Sequence, residues 1–187
     1  RQGPVVPVIV IEHRAEAVPI ARALIAGGVR VLEITLRTPV ALDAMRAILD
    51  EVPEAIVGAG TVVTPVQLEQ VERLGVAFAV SPGATAALLD AAAGSPVPLL
   101  PGTATASEVM AVLERGWTFM KLFPAEAVGG RELLRSLASP LPTARFCPTG
   151  GIDQAKAGAY LALPNVVCVG GSWLVPKDAV AAGDWQR

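Results

Sequence analysis

Histidine is nearly missing from this chain, and lysine and cysteine are scarce. Among 187 residues there is one histidine, His13, and of fifteen basic side chains only Lys121, Lys156 and Lys177 are lysines. A lone histidine without clustered carboxylates makes a poor metal centre, so no metal is expected, and His13 reads as a loop residue after the first strand. The two cysteines, Cys147 and Cys168, sit in apolar stretches without CxxC spacing. That pattern excludes a disulfide framework and suits buried free thiols in a reducing compartment. Charge of either sign is not in excess: the formal net charge is −2 and the pI about 5.5. Neither nucleic acid nor an anionic membrane is therefore an expected partner. Apolar runs approaching the roughly 20 residues of a membrane span are absent too, because Gly, Pro or charge interrupts each one. No signal-peptide pattern opens at Arg1–Gln2–Gly3–Pro4. The expectation is a soluble, cytoplasmic protein.

What is present is a rhythm. Eight β-branched or apolar runs recur, from "VVPVIVI" (5–11) through "VRVLEITL" (29–36), "AIVGAGTV" (55–62), "VAFAVSPG" (76–83), "VPLLPGTA" (97–104), "TFMKLFPA" (118–125) and "ARFCPTGG" (144–151) to "VVCVGGS" (166–172). Between them lie segments such as "TPVQLEQVERLG" and "ASEVMAVLERG", with apolar residues at helical spacing, Thr or Pro near the start and Gly near the end. Continuous apolar strands are buried on both faces, which implies a parallel sheet covered by helices. Eight such units predict one domain over 1–187, a closed (β/α)8 barrel. An open doubly wound sheet is the competing topology. The chain starts almost on its first strand and stops soon after "PKDAVAAGDWQR", so the terminal helices are expected to be trimmed or disordered.

The polar residues fall late in these runs, where a parallel barrel keeps its chemistry. Glu33, Thr35 and Arg37 share one parity and so one face. "TGG" (149–151) and "GGS" (170–172) bring small residues and the hydroxyls of Thr149 and Ser172 to the ends of strands seven and eight. Backbone N–H groups can approach a phosphate there, although the same glycines could serve only as tight turns. Lys121 is the lysine in a strand core. Burial penalises its ammonium form, leaving an amine able to attack a ketone. A purely structural pair with Glu33 is the rival reading. Glu33, pointing inward, suits a general acid/base, while Arg37 and Thr61 suit the carboxylate of a 2-keto acid. Glu126, beyond Pro124, reads as a solvated loop residue, and Lys156 as a solvated one.

Taken in order, "VLEITLRTP", "IVGAGTV", "VSPG", "LLPGTATASEVM", "KLFPAE", "RFCPTGGI" and "CVGGSWLVPKDA" resemble the 2-keto-3-deoxy-6-phosphogluconate (KDPG) and 4-hydroxy-2-oxoglutarate (KHG) aldolase family across essentially the whole chain. The resemblance implies a cytoplasmic, homotrimeric (β/α)8 barrel of the Entner–Doudoroff pathway, without metal or cofactor, acting on a small phosphorylated 2-keto acid. It puts the Schiff-base lysine at Lys121, the acid/base at Glu33, carboxylate binding at Arg37 and Thr61, and phosphate binding at Thr149, Gly150, Gly151, Gly170, Gly171 and Ser172. Pro82 and Phe123 line the pocket. Within the same chemistry the alternatives are KHG cleavage and the galactonate epimer of KDPG. Outside it stand a phosphosugar isomerase or decarboxylase barrel and a trimeric assembly scaffold.

Overall fold

In the computed structural model, which describes residues 3–185, the apolar runs become short parallel strands. They are β1 (Val5–Ile9), β2 (Val31–Thr35), β3 (Ile56–Gly60), β4 (Phe78–Val80), β5 (Leu99–Leu100), β6 (Gly102–Thr103), β7 (Phe119–Leu122), β8 (Arg145–Pro148) and β9 (Val169–Gly171). Each strand is shorter than its run, because the tail of the run forms the loop leading into the next helix. The helices between them are α1 (Ala17–Ala26), α2 (Ala41–Glu51), α3 (Pro65–Leu74), α4 (Ala86–Ala93), α5 (Ala106–Glu114), α6 (Gly130–Ala138) and α7 (Gln154–Leu161), with α8 (Lys177–Ala182) last. The expectation of trimmed terminal helices concerns chain outside the described residues. No helix among the described residues is long and apolar enough to cross a membrane.

Four of the eight helices start on a Thr or Asp cap, at Thr64, Thr85, Thr105 and Asp153. The Thr64 hydroxyl accepts from the Gln67 N–H at 3.2 Å with Pro65 beginning α3, and the Asp153 carboxylate caps α7 by accepting from the Lys156 N–H at 2.9 Å. Such caps satisfy backbone donors that have no partner inside the helix. At α5 the cap is reciprocal, since Glu108 accepts from the Thr105 N–H at 2.9 Å while Thr105 accepts from the Glu108 N–H at 3.3 Å. The buried faces of the helices and strands join in one contiguous hydrophobic cluster.

The strands form a curled parallel sheet in two parts, β5-β4-β3-β2-β1-β9 and β6-β7-β8. One seam lies within a single run: the expected fifth strand is cut by Pro101 into β5, which pairs with β4, and β6, which pairs with β7. Proline has no N–H to give to a ladder, so eight expected strands become nine segments. At the other seam Phe146 N–H donates to Asn165 O at 2.8 Å and Val167 N–H donates to Phe146 O at 2.9 Å. A further isolated bridge pairs Thr149 with Gly170.

Candidate active site

Buried polar side chains are few and almost all lie on strands or just past their ends: Glu33, Thr35, Ser81, Thr103, Lys121 and Thr149, with Asn165 the exception. Only Glu33 and Lys121 among them carry charge, and they are 3% and 2% exposed. Glu33 is central in β2, flanked across the ladder by Val8 and Gly58. Lys121 is central in β7, between Gly102 and Cys147. Their side chains meet inside the sheet, Nζ to Oε1 at 3.4 Å. Two ions leaving water together lose hydration that only mutual contact restores, which is why neither is found alone. Space for the carboxylate comes from β3, where a Cβ on Gly60 would overlap Glu33 Oε1. The Thr103 hydroxyl donates to the Lys121 carbonyl at 3.2 Å and holds the lysine backbone in place. The Phe123 ring lies under the amine, with its centroid 5.2 Å from Nζ.

Around this centre the other sequence candidates take separate positions. Arg37 lies beyond β2, so the one-face parity stops at Thr35, whose hydroxyl donates instead to Ile9 O at 3.0 Å. Arg37 is exposed and its Nε donates to Thr61 Oγ1 at 3.0 Å. Thr61 itself has φ 60°, a left-handed conformation uncommon outside glycine. Thr149 is buried at the end of β8 against β9, where a Cβ on Gly170 would overlap its hydroxyl. Gly150 and Gly151 follow with φ 103° and 78°, values that glycine adopts without a steric penalty. Gly171 is packed under the Trp173 ring, and Ser172 is exposed beyond it. Pro82 is half-buried, its carbonyl against Gly102.

The Glu33 carboxylate also borders a cavity of about 540 Å³ among the first halves of the strands, lined by Val6, Val31, Phe78 and Phe119 and by both cysteines. Cys147 is buried and Cys168 half-buried. The neighbouring Cys168 sulfur, followed by burial, holds the Cys147 pKa above the ordinary thiol value, and Cys147 in turn holds that of Cys168 below it. Among the described residues no group of three or more His, Cys, Asp and Glu side chains could hold a metal ion.

Sequence reasoning expected Glu126 and Lys156 in solvent, and both are exposed, but their pairing was not foreseen and Tyr160 was passed over. Glu126 accepts from Lys156 Nζ at 2.7 Å and from the Tyr160 hydroxyl. Lys156, expected in solvent, also donates to Gly151 O at 2.9 Å. The available signal was the four-residue spacing of Lys156 and Tyr160, which puts both on one face of α7.

Over residues 1–187 the sequence matches the family model described as "Aldolase: KDPG and KHG aldolase". The chain belongs to the KDPG and KHG aldolase family. Among its relatives in that family is the "KHG/KDPG aldolase" of Escherichia coli K12, 58% identical over 99% of this chain and 87% of that one. The "2-dehydro-3-deoxy-phosphogluconate aldolase" of Pseudomonas aeruginosa is 48% identical over 100% of this chain and 85% of that one. Among solved structures, the KDPG aldolase of Legionella pneumophila, with pyruvate captured as a covalent carbinolamine, superposes with a TM-score of 0.97. It is 48% identical and covers 99% of this chain and 90% of that one. A 3-keto-L-gulonate-6-phosphate decarboxylase from Vibrio cholerae shares the fold alone, with TM-score 0.72 and 14% identity.

Proposed function

We propose that this chain is a class I aldolase that cleaves KDPG to pyruvate and glyceraldehyde 3-phosphate through a Schiff base at Lys121. The observation that carries the reading is the Lys121–Glu33 pair, a nucleophile and a proton acceptor 3.4 Å apart and the only charged side chains buried among the described residues. The relatives' names and the Legionella carbinolamine support it.

The amine of Lys121, its proton passed to Glu33, attacks C2 of the substrate to give a carbinolamine. Glu33 returns that proton to the leaving hydroxyl, so water departs and an iminium forms. The C3–C4 bonding electrons then flow toward its nitrogen as the regenerated Glu33 carboxylate takes the C4 hydroxyl proton. Glyceraldehyde 3-phosphate departs and an enamine remains. Protonation at C3 and hydrolysis then release pyruvate and the free lysine. Arg37 and Thr61, already hydrogen-bonded, receive the carboxylate. Thr149, Gly150, Gly151, Gly170, Gly171 and Ser172 receive the phosphate at the ends of β8 and β9. Phe123 and Pro82 wall the pocket. Phosphate binding far from the cleaved bond positions the reacting carbons.

Chain continuity through Pro101 and the bonds from Phe146 to the Asn165–Val167 segment support joining both seams into one eight-stranded barrel over a single domain, 1–187. Cytoplasmic residence and a homotrimer complete the proposal. KHG cleavage by the same pair is a second activity favoured by the double name of the Escherichia coli relative.

Borohydride reduction in the presence of pyruvate tests the covalent step, with a stable adduct expected on the peptide carrying Lys121. Lys121→Ala is expected to abolish both the adduct and pyruvate release from KDPG. Near-normal cleavage by that variant would overturn the mechanism.

A further inference from the structure

The turn after β8 is held from outside by groups that take no part in the chemistry above. Ala125 N–H donates to Thr149 O at 2.8 Å, and Glu126 N–H donates to Gly150 O at 3.1 Å. Lys156 Nζ donates to Gly151 O at 2.9 Å. Three successive carbonyl oxygens are thus occupied by donors from one side. In a trans peptide the C=O and the following N–H point in opposite directions. The N–H groups of Gly151 and Ile152 are therefore turned away from these donors and make no turn or loop hydrogen bond to backbone among the described residues, while that of Gly150 lies in the bridge to Gly170. Backbone N–H groups gathered in this way favour an anion.

Glycine permits a peptide plane to flip with little steric resistance. A flip at the Gly151–Ile152 plane would exchange an N–H for a carbonyl oxygen, which repels phosphate. The first two planes are held by backbone donors, but the third is held by a side chain. Lys156 is kept at its post by Glu126, and Glu126 by the hydroxyl of buried Tyr160. A Cβ on Gly151 would lie 2.7 Å from Glu126 Cγ, so the glutamate side chain lies flat against the turn. The hydrogen bond from Lys156, then that from Tyr160, lowers the Glu126 pKa, and the Glu126 bond raises that of Lys156, so both partners keep their charge.

We propose that Glu126, Lys156 and Tyr160 are positioning residues that lock the Gly150–Ile152 turn in its anion-binding orientation, and so set the preference for a phosphorylated over an unphosphorylated 2-keto acid. The proposal rests on reading this turn as the phosphate subsite. Lys156→Met removes the ammonium and keeps the apolar stem, and Lys156 is exposed enough for the variant to fold. Steady-state kinetics on KDPG and KHG should show KM for KDPG raised about tenfold, the effect of losing one charge-assisted hydrogen bond. The kcat on KDPG, and kcat/KM on KHG, should stay within about twofold, and Lys156→Arg should restore most of the loss. Equal losses on both substrates, or no change on KDPG, would overturn the clamp. Binding of inorganic phosphate, followed by phosphorus NMR, separates this idea from the reading beneath it. Should the wild type bind phosphate but cleave neither substrate, the aldolase reading fails, while weaker phosphate binding by Lys156→Met would still uphold the clamp. Unchanged phosphate binding by that variant would sink it.

Discussion

A lysine ammonium drawn into a protein interior loses hydration worth several kcal/mol, and a carboxylate loses a similar amount. Lys121 and Glu33 accept that cost together, which makes each residue dependent on the other. Glu33→Gln keeps the side-chain volume and a hydrogen-bonding oxygen but removes the proton acceptor. Its kcat on KDPG is expected to fall by about 10²–10⁴-fold, the usual contribution of a positioned general acid/base. Its far-ultraviolet circular dichroism should match that of the parent. A pyruvate-release assay checks this, and a loss below about tenfold would remove Glu33 from the proton transfers. Sequence alone could single out Lys121, because a charged residue between Met120 and Leu122 is conspicuous along the chain. Sequence was poorer with Glu126 and Lys156, since their pairing joins positions 30 residues apart.

At the scale of elements, strands carry the chemistry and caps hold the helices around them. The capping box of α5 illustrates the smaller effect. Thr105→Ala gives up one side-chain acceptor at an exposed helix start, which costs about 1 kcal/mol. Gly102→Ala acts on the sheet itself, because a Cβ there would overlap the backbone carbonyl of Pro82, which cannot rotate away like a side chain. Overpacking of this kind costs about 1–3 kcal/mol. Denaturant unfolding should rank Gly102→Ala as the more destabilising of the two, and the reverse order would show that β6 yields easily. The division at Pro101 was not legible as such. The run "VPLLPGTA" looks like one strand, and only the pairing in the sheet shows that β5 serves β4 while β6 serves β7.

At the scale of the whole molecule, the 19.2 kDa chain is proposed to assemble in threes. Light scattering coupled to size exclusion is expected to return three times the mass of whatever chain is measured, constant across the peak and over dilution. A monomer mass with full aldolase activity would dissociate the catalytic proposal from the assembly proposal, since the Lys121–Glu33 pair lies within one chain.

Layering and buried chemistry were written locally in the sequence. Short apolar runs rich in β-branched residues and bounded by Gly or Pro read as strands covered on both faces, helical spacing supplies the cover, and polar residues late in those runs mark where the chemistry lies. Pairing was decided by tertiary structure. Glu33 and Lys121 are 88 positions apart, and the Glu126–Lys156–Tyr160 cluster joins the loop after β7 to α7. Such meetings depend on strand register and sheet curvature, which set distances in space that no local pattern along the chain encodes.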